Sequence, residues 1–241
     1  MRGIILSAGL GTRMGDTSRH TPKPLIRVAG RTLLDRALDR ADEAGLERVV
    51  VNVHHHADQI EAHLAPRMGA GQVVISDERD QLLETGGGVK KALPLLGEQP
   101  FFVMNSDALW LDGAGSTLLR LASHFDAARM DALLLLVPTA DALGYDGVGD
   151  FIPFAQGMAP VPIAFRDEAP AAPVMFGGVM MIRPEAYEDT PAGAWSNRTV
   201  FRKAVAAGRL FGIVHDGHWM HVGTPEGVKD AEARLAELGE A

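Results

Sequence analysis

Apolar residues recur along this chain in two alternating rhythms. Short apolar runs occupy residues 3–6, 48–53, 73–76, 101–105, 132–137, 174–182 and 210–214. Their length and their Val, Ile, Leu and Phe content predict strands buried on both faces. Between them the spacing turns helical. Leu33, Leu34, Ala37, Leu38, Ala41 and Ala44 fall on one helix face with charges between them, and Gly45 stops that helix. Further helices are predicted over 58–64, 117–125, 201–207 and 225–238, and one over 88–96 that Pro94 limits. The alternation predicts an α/β, Rossmann-like three-layer fold: a mostly parallel central sheet with helices on both faces. From 138 to 173 the pattern weakens, Pro and Gly become frequent, and a small antiparallel lid is expected. Sheets of this kind bind ligands at the carboxyl ends of their strands. Segments 9–13, 52–56, 76–88 and 105–107 all follow strand ends, so they can line one crevice.

Composition narrows the picture. A chain of 241 residues, 46% hydrophobic, with no internal repeat or low-complexity linker, fits a single domain over 1–241. No run approaches the roughly 18 apolar residues of a membrane span. No basic stretch and long apolar segment mark a secretory signal, so a cytoplasmic location is expected. The absence of cysteine excludes disulfides, thiol chemistry and Cys-based zinc sites. A net charge of −8 argues against a nucleic-acid surface. Positive charge is instead local: Arg13, Arg19, Lys23, Arg27 and Arg31 lie in one segment, with Arg19, Arg27 and Arg31 expected on a solvated face. His54, His55 and His56 are consecutive and cannot converge in an extended segment. His215, His218 and His221 would converge only on a helix, so neither group predicts zinc. No oligomeric state is legible in the chain.

Candidate chemistry concentrates where the first strand ends, in Ser7-Ala8-Gly9-Leu10-Gly11-Thr12-Arg13-Met14 and Thr21-Pro22-Lys23-Pro24-Leu25. A glycine loop after a strand exposes backbone N–H groups that can wrap an anion. Arg13 adds a planar fork of donors and Lys23 a compact charge, both suited to a polyphosphate. The loop lacks the Gly-Lys-[Ser/Thr] of a P-loop, and the third glycine of a dinucleotide fingerprint is missing. The combination G-x-G-T-R-M, a short spacer and P-K-P resembles the sugar-1-phosphate nucleotidyltransferases. These enzymes join a nucleoside triphosphate to a sugar 1-phosphate and release pyrophosphate. The resemblance implies that Ala8, Gly9, Gly11, Thr12, Arg13 and Lys23 bind the nucleotide.

Two further motifs extend it. Leu83-Glu84-Thr85-Gly86-Gly87-Gly88 follows a strand and opens a helix, so its N–H groups are expected to point into the crevice and read a nucleobase edge. With Lys91-Ala92-Leu93-Pro94 it resembles the N-acetylmuramate 1-phosphate uridylyltransferase branch. That likeness implies Glu84 and Gly88 at the nucleotide and Thr85 towards the sugar. The apolar strand 101–105 leads into Asn105-Ser106-Asp107, and a carboxylate at a strand end suits Mg²⁺, which takes one or two carboxylates plus substrate phosphates. The family's N-x-D segment implies Mg²⁺ on Asp107 and the sugar beside Asn105. Gly147-Val148-Gly149-Asp150-Phe151 matches a sugar-contacting G-x-G-D-F, implying Gly149 and Asp150 at the substrate. Gly217-His218-Trp219-Met220-His221-Val222-Gly223-Thr224 departs from the family at one position: His221 stands where the second Mg²⁺-binding Asp is found. Imidazole suits zinc or manganese better, and Asp216 is five residues away along a strand, on the opposite face. The metal would then be held by Asp107, waters and phosphates.

The resemblance implies transfer in line, without a covalent enzyme intermediate, with Arg13, Lys23 and Asp107 catalytic. The expected pair is UTP with N-acetylmuramic acid 1-phosphate, giving UDP-N-acetylmuramic acid for cell-wall sugar recycling. A guanylyltransferase acting on mannose or heptose 1-phosphate is the nearest alternative. A non-catalytic nucleotide sensor, favoured by His221, and a nicotinamide dehydrogenase, disfavoured by the missing glycine, come from other classes.

Overall fold

Ile4 and Ile5 are consecutive, both fully buried, and belong to two different apolar clusters. A strand sends successive side chains to opposite faces, so burial of both requires a layer on each side. The computed structural model describes residues 1–15 and 17–240. Its strands are β1 (Arg2–Leu6), β2 (Arg27–Val28), β3 (Arg31–Thr32), β4 (Arg48–Val53), β5 (Val73–Asp77), β6 (Phe101–Asn105), β7 (Ala108–Leu111), β8 (Ala132–Pro138), β9 (Ala142–Leu143), β10 (Phe151–Pro153), β11 (Val161–Phe165), β12 (Val174–Ile182), β13 (Leu210–Val214) and β14 (His218–His221). Its helices are α1 (Thr17–His20), α2 (Leu33–Glu43), α3 (Ala57–Gly69), α4 (Glu84–Leu96), α5 (Thr117–His124), α6 (Arg198–Ala206) and α7 (Pro225–Leu238).

Nine strands form the central sheet in the order β10-β11-β13-β8-β12-β6-β1-β4-β5. β6, β1, β4 and β5 are mutually parallel, as are β8 and β13. β12 is antiparallel to β6 and β8, and β11 to β10 and β13. Followed across the sheet, only β11 and β12 oppose the common direction, which makes the sheet mostly parallel, with a Rossmann-like α/β layering. One face packs on α2, α3 and α5 through Ile5, Val49, Val51 and Leu133; the other packs on α4 and α6 through Ile4, Val50 and Leu134. A small sheet, β7-β14-β9, carries a third cluster with α7.

Three details differ from the sequence pattern. The segment 138–173 does not stand apart as a lid. Its strands β10 and β11 extend the central sheet beside β13, because their inward residues Phe151, Ile163 and Phe165 complete the apolar cluster around β8. Helix α3 runs through Pro66 to Gly69, well beyond residue 64. Helix α4 begins at Glu84, not Gly88, and ends at Leu96 as expected, with Pro94 inside its last turn. Proline removes one i→i−4 bond, and burial of Val89, Ala92 and Leu96 on one face outweighs that loss.

Candidate active site

The register of the central strands sets the floor of a crevice. Leu6 lies opposite Asn52 on one side and Asn105 on the other, and Asn52 opposite Ser76. The carboxyl ends of β1, β4, β5 and β6 are therefore level. The crevice above them is roughly 430 Å³ and is bounded by the loop from Ser7 to Arg13, by Lys23, by Leu82–Thr85 and by Asn105–Asp107.

The phosphate-type loop follows from its residues. Gly11 adopts φ 65, a left-handed conformation that glycine takes without steric cost. The turn then closes through Met14 N–H on Gly11 O at 2.9 Å. Met14 is buried in the α7 cluster, which anchors the loop and leaves Thr12 and Arg13 exposed at the crevice. Among the described residues, the backbone N–H groups of Ala8, Gly9, Leu10 and Gly11 have no protein acceptor. They are available to an acceptor in the crevice, such as an anion.

Lys23 begins a short 3-10 turn, Lys23–Leu25, between Pro22 and a buried Pro24. This braced loop aims the ammonium into the crevice, where Nζ lies 2.7 Å from Asp107 Oδ2. Asp107 sits in the tight turn between β6 and β7. Burial alone would push its carboxyl up. Lys23, with smaller help from His221 and Arg13, outweighs that and holds it below the ordinary carboxylate value. Asp107 thus presents an ionised carboxylate at the rim of the crevice. Among the described residues no group of three or more His, Asp or Glu side chains forms a metal cage. A hard cation there would take one carboxylate and complete its shell with substrate oxygens and water, a donor set that fits Mg²⁺.

His221 ends β14 directly opposite Ala108, and Val222 N–H donates to Asp107 O at 3.2 Å. Its ring stacks on Trp219 and covers Gly223, which borders the crevice. Burial lowers its basicity against the opposing pull of Asp107. Asp216 is turned away and pairs with Arg120 at 3.3 Å.

The triple glycine has a different role from the expected one. Gly86 N–H and Gly87 N–H both donate to Trp195 O, at 2.8 and 3.1 Å, so they do not face the crevice. A Cβ at Gly86 would overlap the Trp195 ring, and one at Gly87 would overlap Gly193 O. The glycines let the segment 193–197 lie against the start of α4. Thr85 Oγ1 then accepts Asn197 N–H at 2.9 Å, and Ser196 joins the crevice wall. Trp195 and Ser196 carried no motif that could have singled them out. Glu84 lines the crevice in a left-handed conformation, φ 58, uncommon for a residue with a side chain.

The remaining sequence-predicted residues divide. Ala8, Gly9, Gly11, Thr12, Arg13, Lys23, Glu84, Thr85, Asn105 and Asp107 border one crevice. Gly88 is buried behind it, its Cα side facing Glu78 and Asn52. Gly149 and Asp150 lie away from its walls: Gly149 O accepts Arg166 Nε–H at 3.0 Å, and Asp150 Oδ2 accepts Phe176 N–H at 3.1 Å. Asn52 and Glu78, both within segments expected to line the crevice, are buried polar residues; Asn52 borders the crevice and Glu78 lies behind it.

Residues 3–149 match the family model of the MobA-like NTP transferase domain. The chain is 45% identical, over 97% of its length and 96% of the relative's, to an N-acetylmuramate alpha-1-phosphate uridylyltransferase of Caulobacter vibrioides. It is 34% identical to the protein of that name in Neisseria meningitidis serogroup B, covering 97% of each chain. Among solved structures, a putative glucose-1-phosphate thymidylyltransferase from Bacillus anthracis superposes with a TM-score of 0.80 at 16% identity, covering 97% of this chain and 94% of that one.

Proposed function

The chain belongs to the MobA-like NTP transferase family, and we propose that it transfers a uridylyl group from UTP to N-acetylmuramic acid 1-phosphate, releasing pyrophosphate. The observation that carries this reading is the convergence, in one crevice, of unpartnered loop amides with Arg13, Lys23 and the ionised Asp107. The two uridylyltransferases to which the whole chain is similar supply the choice of base and sugar.

The acceptor is the sugar-phosphate oxygen, already anionic at neutral pH, so no general base is required. It attacks the α-phosphorus in line, and pyrophosphate leaves. Catalysis is positioning and charge stabilisation. The amides of residues 9–12 and the Arg13 fork hold the β- and γ-phosphates. Lys23 is within reach of both the α-phosphate and the sugar phosphate once it leaves Asp107. Asp107 would hold Mg²⁺, which when bound supplies positive charge to substrate phosphate oxygens. Glu84 and its neighbours form the wall for the base, and Thr85 and Asn105 the approach to the sugar. Gly149 and Asp150 complete that side only if the sugar extends past the present walls.

The lactyl carboxylate of the sugar calls for a counter-charge. Arg198 and Arg202 stand two and six positions beyond Ser196, with their guanidinium carbons 4.8 and 4.5 Å from the Phe165 ring centroid. Arg198 lies 3.7 Å from Asp150. Arg202 pairs with Asp167 at 3.2 Å, so either arginine would exchange a carboxylate of the protein for that of the sugar. Nucleoside triphosphates are cytoplasmic metabolites, which supports action in the cytoplasm; among the described residues, no helix is long and apolar enough to cross a membrane.

The test is a panel of UTP and GTP against N-acetylmuramic acid, N-acetylglucosamine, glucose and mannose 1-phosphates, read as specificity constants from pyrophosphate release. UTP with N-acetylmuramic acid 1-phosphate is expected to lead. A preference for GTP with mannose 1-phosphate would overturn the substrate assignment and keep the reaction class. No turnover with any pair, despite nucleotide binding, would point to a sensor.

A further inference from the structure

Glu78 is completely buried, yet its carboxylate has two neutral partners. Asn52 Nδ2–H donates to Oε1 at 2.8 Å, and Leu83 N–H donates to Oε2 at 3.2 Å. On the other side of Asn52, Ser7 N–H donates to Oδ1 at 2.7 Å. The Glu78 backbone is pinned as well: its N–H donates to Val53 O at 2.8 Å, and its carbonyl accepts Gln81 N–H at 3.0 Å. Three side-chain hydrogen bonds thus run in series beneath the crevice, from Ser7 to Leu83. Ser7 opens the loop that carries Gly9, Gly11 and Arg13. Leu83 precedes Glu84 and Thr85 in the opposite wall.

The polarity of this series dictates the residue types. Both ends are backbone N–H groups, which can only donate. That fixes the Asn52 amide with its oxygen towards Ser7 and its nitrogen towards position 78. The residue at 78 must then accept at both of its terminal atoms, and only a carboxylate does so. Glutamine would set a donor against a donor at one contact in either orientation. Burial pushes the Glu78 carboxyl up, so the group is kept at a desolvation cost that a packed apolar residue would avoid. Space is reserved for it too: a Cβ on Gly88 would stand 2.8 Å from Glu78 Oε1 and 2.9 Å from Asn52 Nδ2.

We propose that Glu78 and Asn52 are positioning residues for the nucleotide, holding the triphosphate loop and the base wall at the separation one nucleoside triphosphate spans. Asn52 borders the crevice, and both residues are proposed to act through the backbone of Ser7 and Leu83. The inference rests on the nucleotidyl-transfer reading of the crevice.

The test uses Glu78→Gln, Asn52→Asp and the double variant Asn52→Asp/Glu78→Gln. In the double variant the carboxylate moves to position 52, where it accepts from Ser7 and from the new amide at 78. The oxygen of that amide accepts from Leu83, so all three bonds return. UTP binding is measured by calorimetry, and KM for UTP and for the sugar 1-phosphate by pyrophosphate release. Glu78→Gln should weaken UTP binding and raise its KM roughly tenfold, the effect of one lost buried hydrogen bond to a charged group. KM for the sugar 1-phosphate should stay within about twofold, and the double variant should recover most of the nucleotide KM. A folded Glu78→Gln with unchanged UTP binding overturns the inference. So does a parallel rise in both KM values, or a double variant no better than the single. Should Glu78→Gln fail to fold, the double variant decides: a near-wild-type KM for UTP supports the inference, while impaired binding or failure to fold overturns it. Wild-type protein that binds no nucleoside triphosphate would instead overturn the reading of the crevice, and the inference with it.

Discussion

Lys23 Nζ and Asp107 Oδ2 lie 2.7 Å apart across 84 positions of sequence. Lys23 is mostly covered, and its side chain is 12% exposed against 27% for Asp107. Two groups proposed to serve opposite charges, one the phosphates and the other a cation, form an ion pair with each other. The pairing lessens the cost of holding both charges at one partly buried site.

Lys23→Ala is expected to lower kcat by roughly 100-fold or more, the scale of removing a preorganised charge from the transition state. The loop is braced by Pro22 and the buried Pro24, so the fold should survive. Circular dichroism and steady-state kinetics on the same preparation check this. A well-folded variant with near-wild-type kcat would remove Lys23 from the chemistry.

Asp107→Asn keeps the shape of the turn but loses the anionic oxygen. Activity should nearly vanish, while UTP binding in the presence of a chelator stays within about threefold of wild type, since the amide removes only the proposed metal ligand. Calorimetry with and without Mg²⁺ checks both halves. Unchanged Mg²⁺ dependence would take Asp107 out of the metal shell.

His221→Asp places a hard anionic oxygen on the strand beside the Asp107 turn. The Mg²⁺ concentration for half-maximal rate should fall, because carboxylate suits this cation better than imidazole. Titration of the initial rate with Mg²⁺ reads the effect. A rise, or no response, would mean that position 221 does not reach the metal.

Gly86→Ala drives a methyl group into the Trp195 ring. Destabilisation of about 1–3 kcal/mol is expected, the usual scale for overpacking a core. Urea denaturation measures it, and Gly9→Ala is the comparison, since a Cβ there meets no protein atom. Equal stability of the two variants would mean that Trp195 yields freely.

His215 is buried, and among the described residues its Nδ1 has no hydrogen-bond partner. Burial depresses its pKa, although Asp216 and Asp112 nearby pull the other way and Arg120 reinforces the depression. The folded protein then resists protonation at a pH where the unfolded chain, with an ordinary value near 6.5, accepts it. Stability should hold above about pH 6.5 and fall as pH drops below it. His215→Phe should flatten that decline in denaturant titrations at pH 7.5 and 5.5. An identical slope would assign the acid sensitivity elsewhere, His221 being the next candidate because burial depresses it in the same direction.

Much of this molecule is written locally in the chain. Ile4 and Ile5, or Leu133 and Leu134, advertise strands buried on both faces simply by following one another, and the layered fold follows. Gly9, Gly11, Arg13, Lys23 and Asp107 could be read as polyphosphate and cation chemistry because each stands just after a strand end or in a braced loop. What no local pattern contains is distance between segments far apart in sequence. The glycines at 86–88 read as a loop for a ligand, whereas two of them accommodate Trp195 and Gly193 from a segment more than a hundred residues away. The segment 138–173 read as a small antiparallel lid because the pattern there is short and broken; the open edge beside β13 took its strands β10 and β11 into the sheet. Asn52, near the end of one predicted strand, and Glu78, just after another, carried no sign of their partnership, and became a buried relay only when the register of β1, β4 and β5 stacked their ends. Periodicity and motif chemistry are properties of neighbours along the chain, so the sequence by itself determined the layers and the kinds of group at the site. Steric fit and hydrogen-bond partnership are properties of neighbours in space, so only the tertiary structure decided which groups meet.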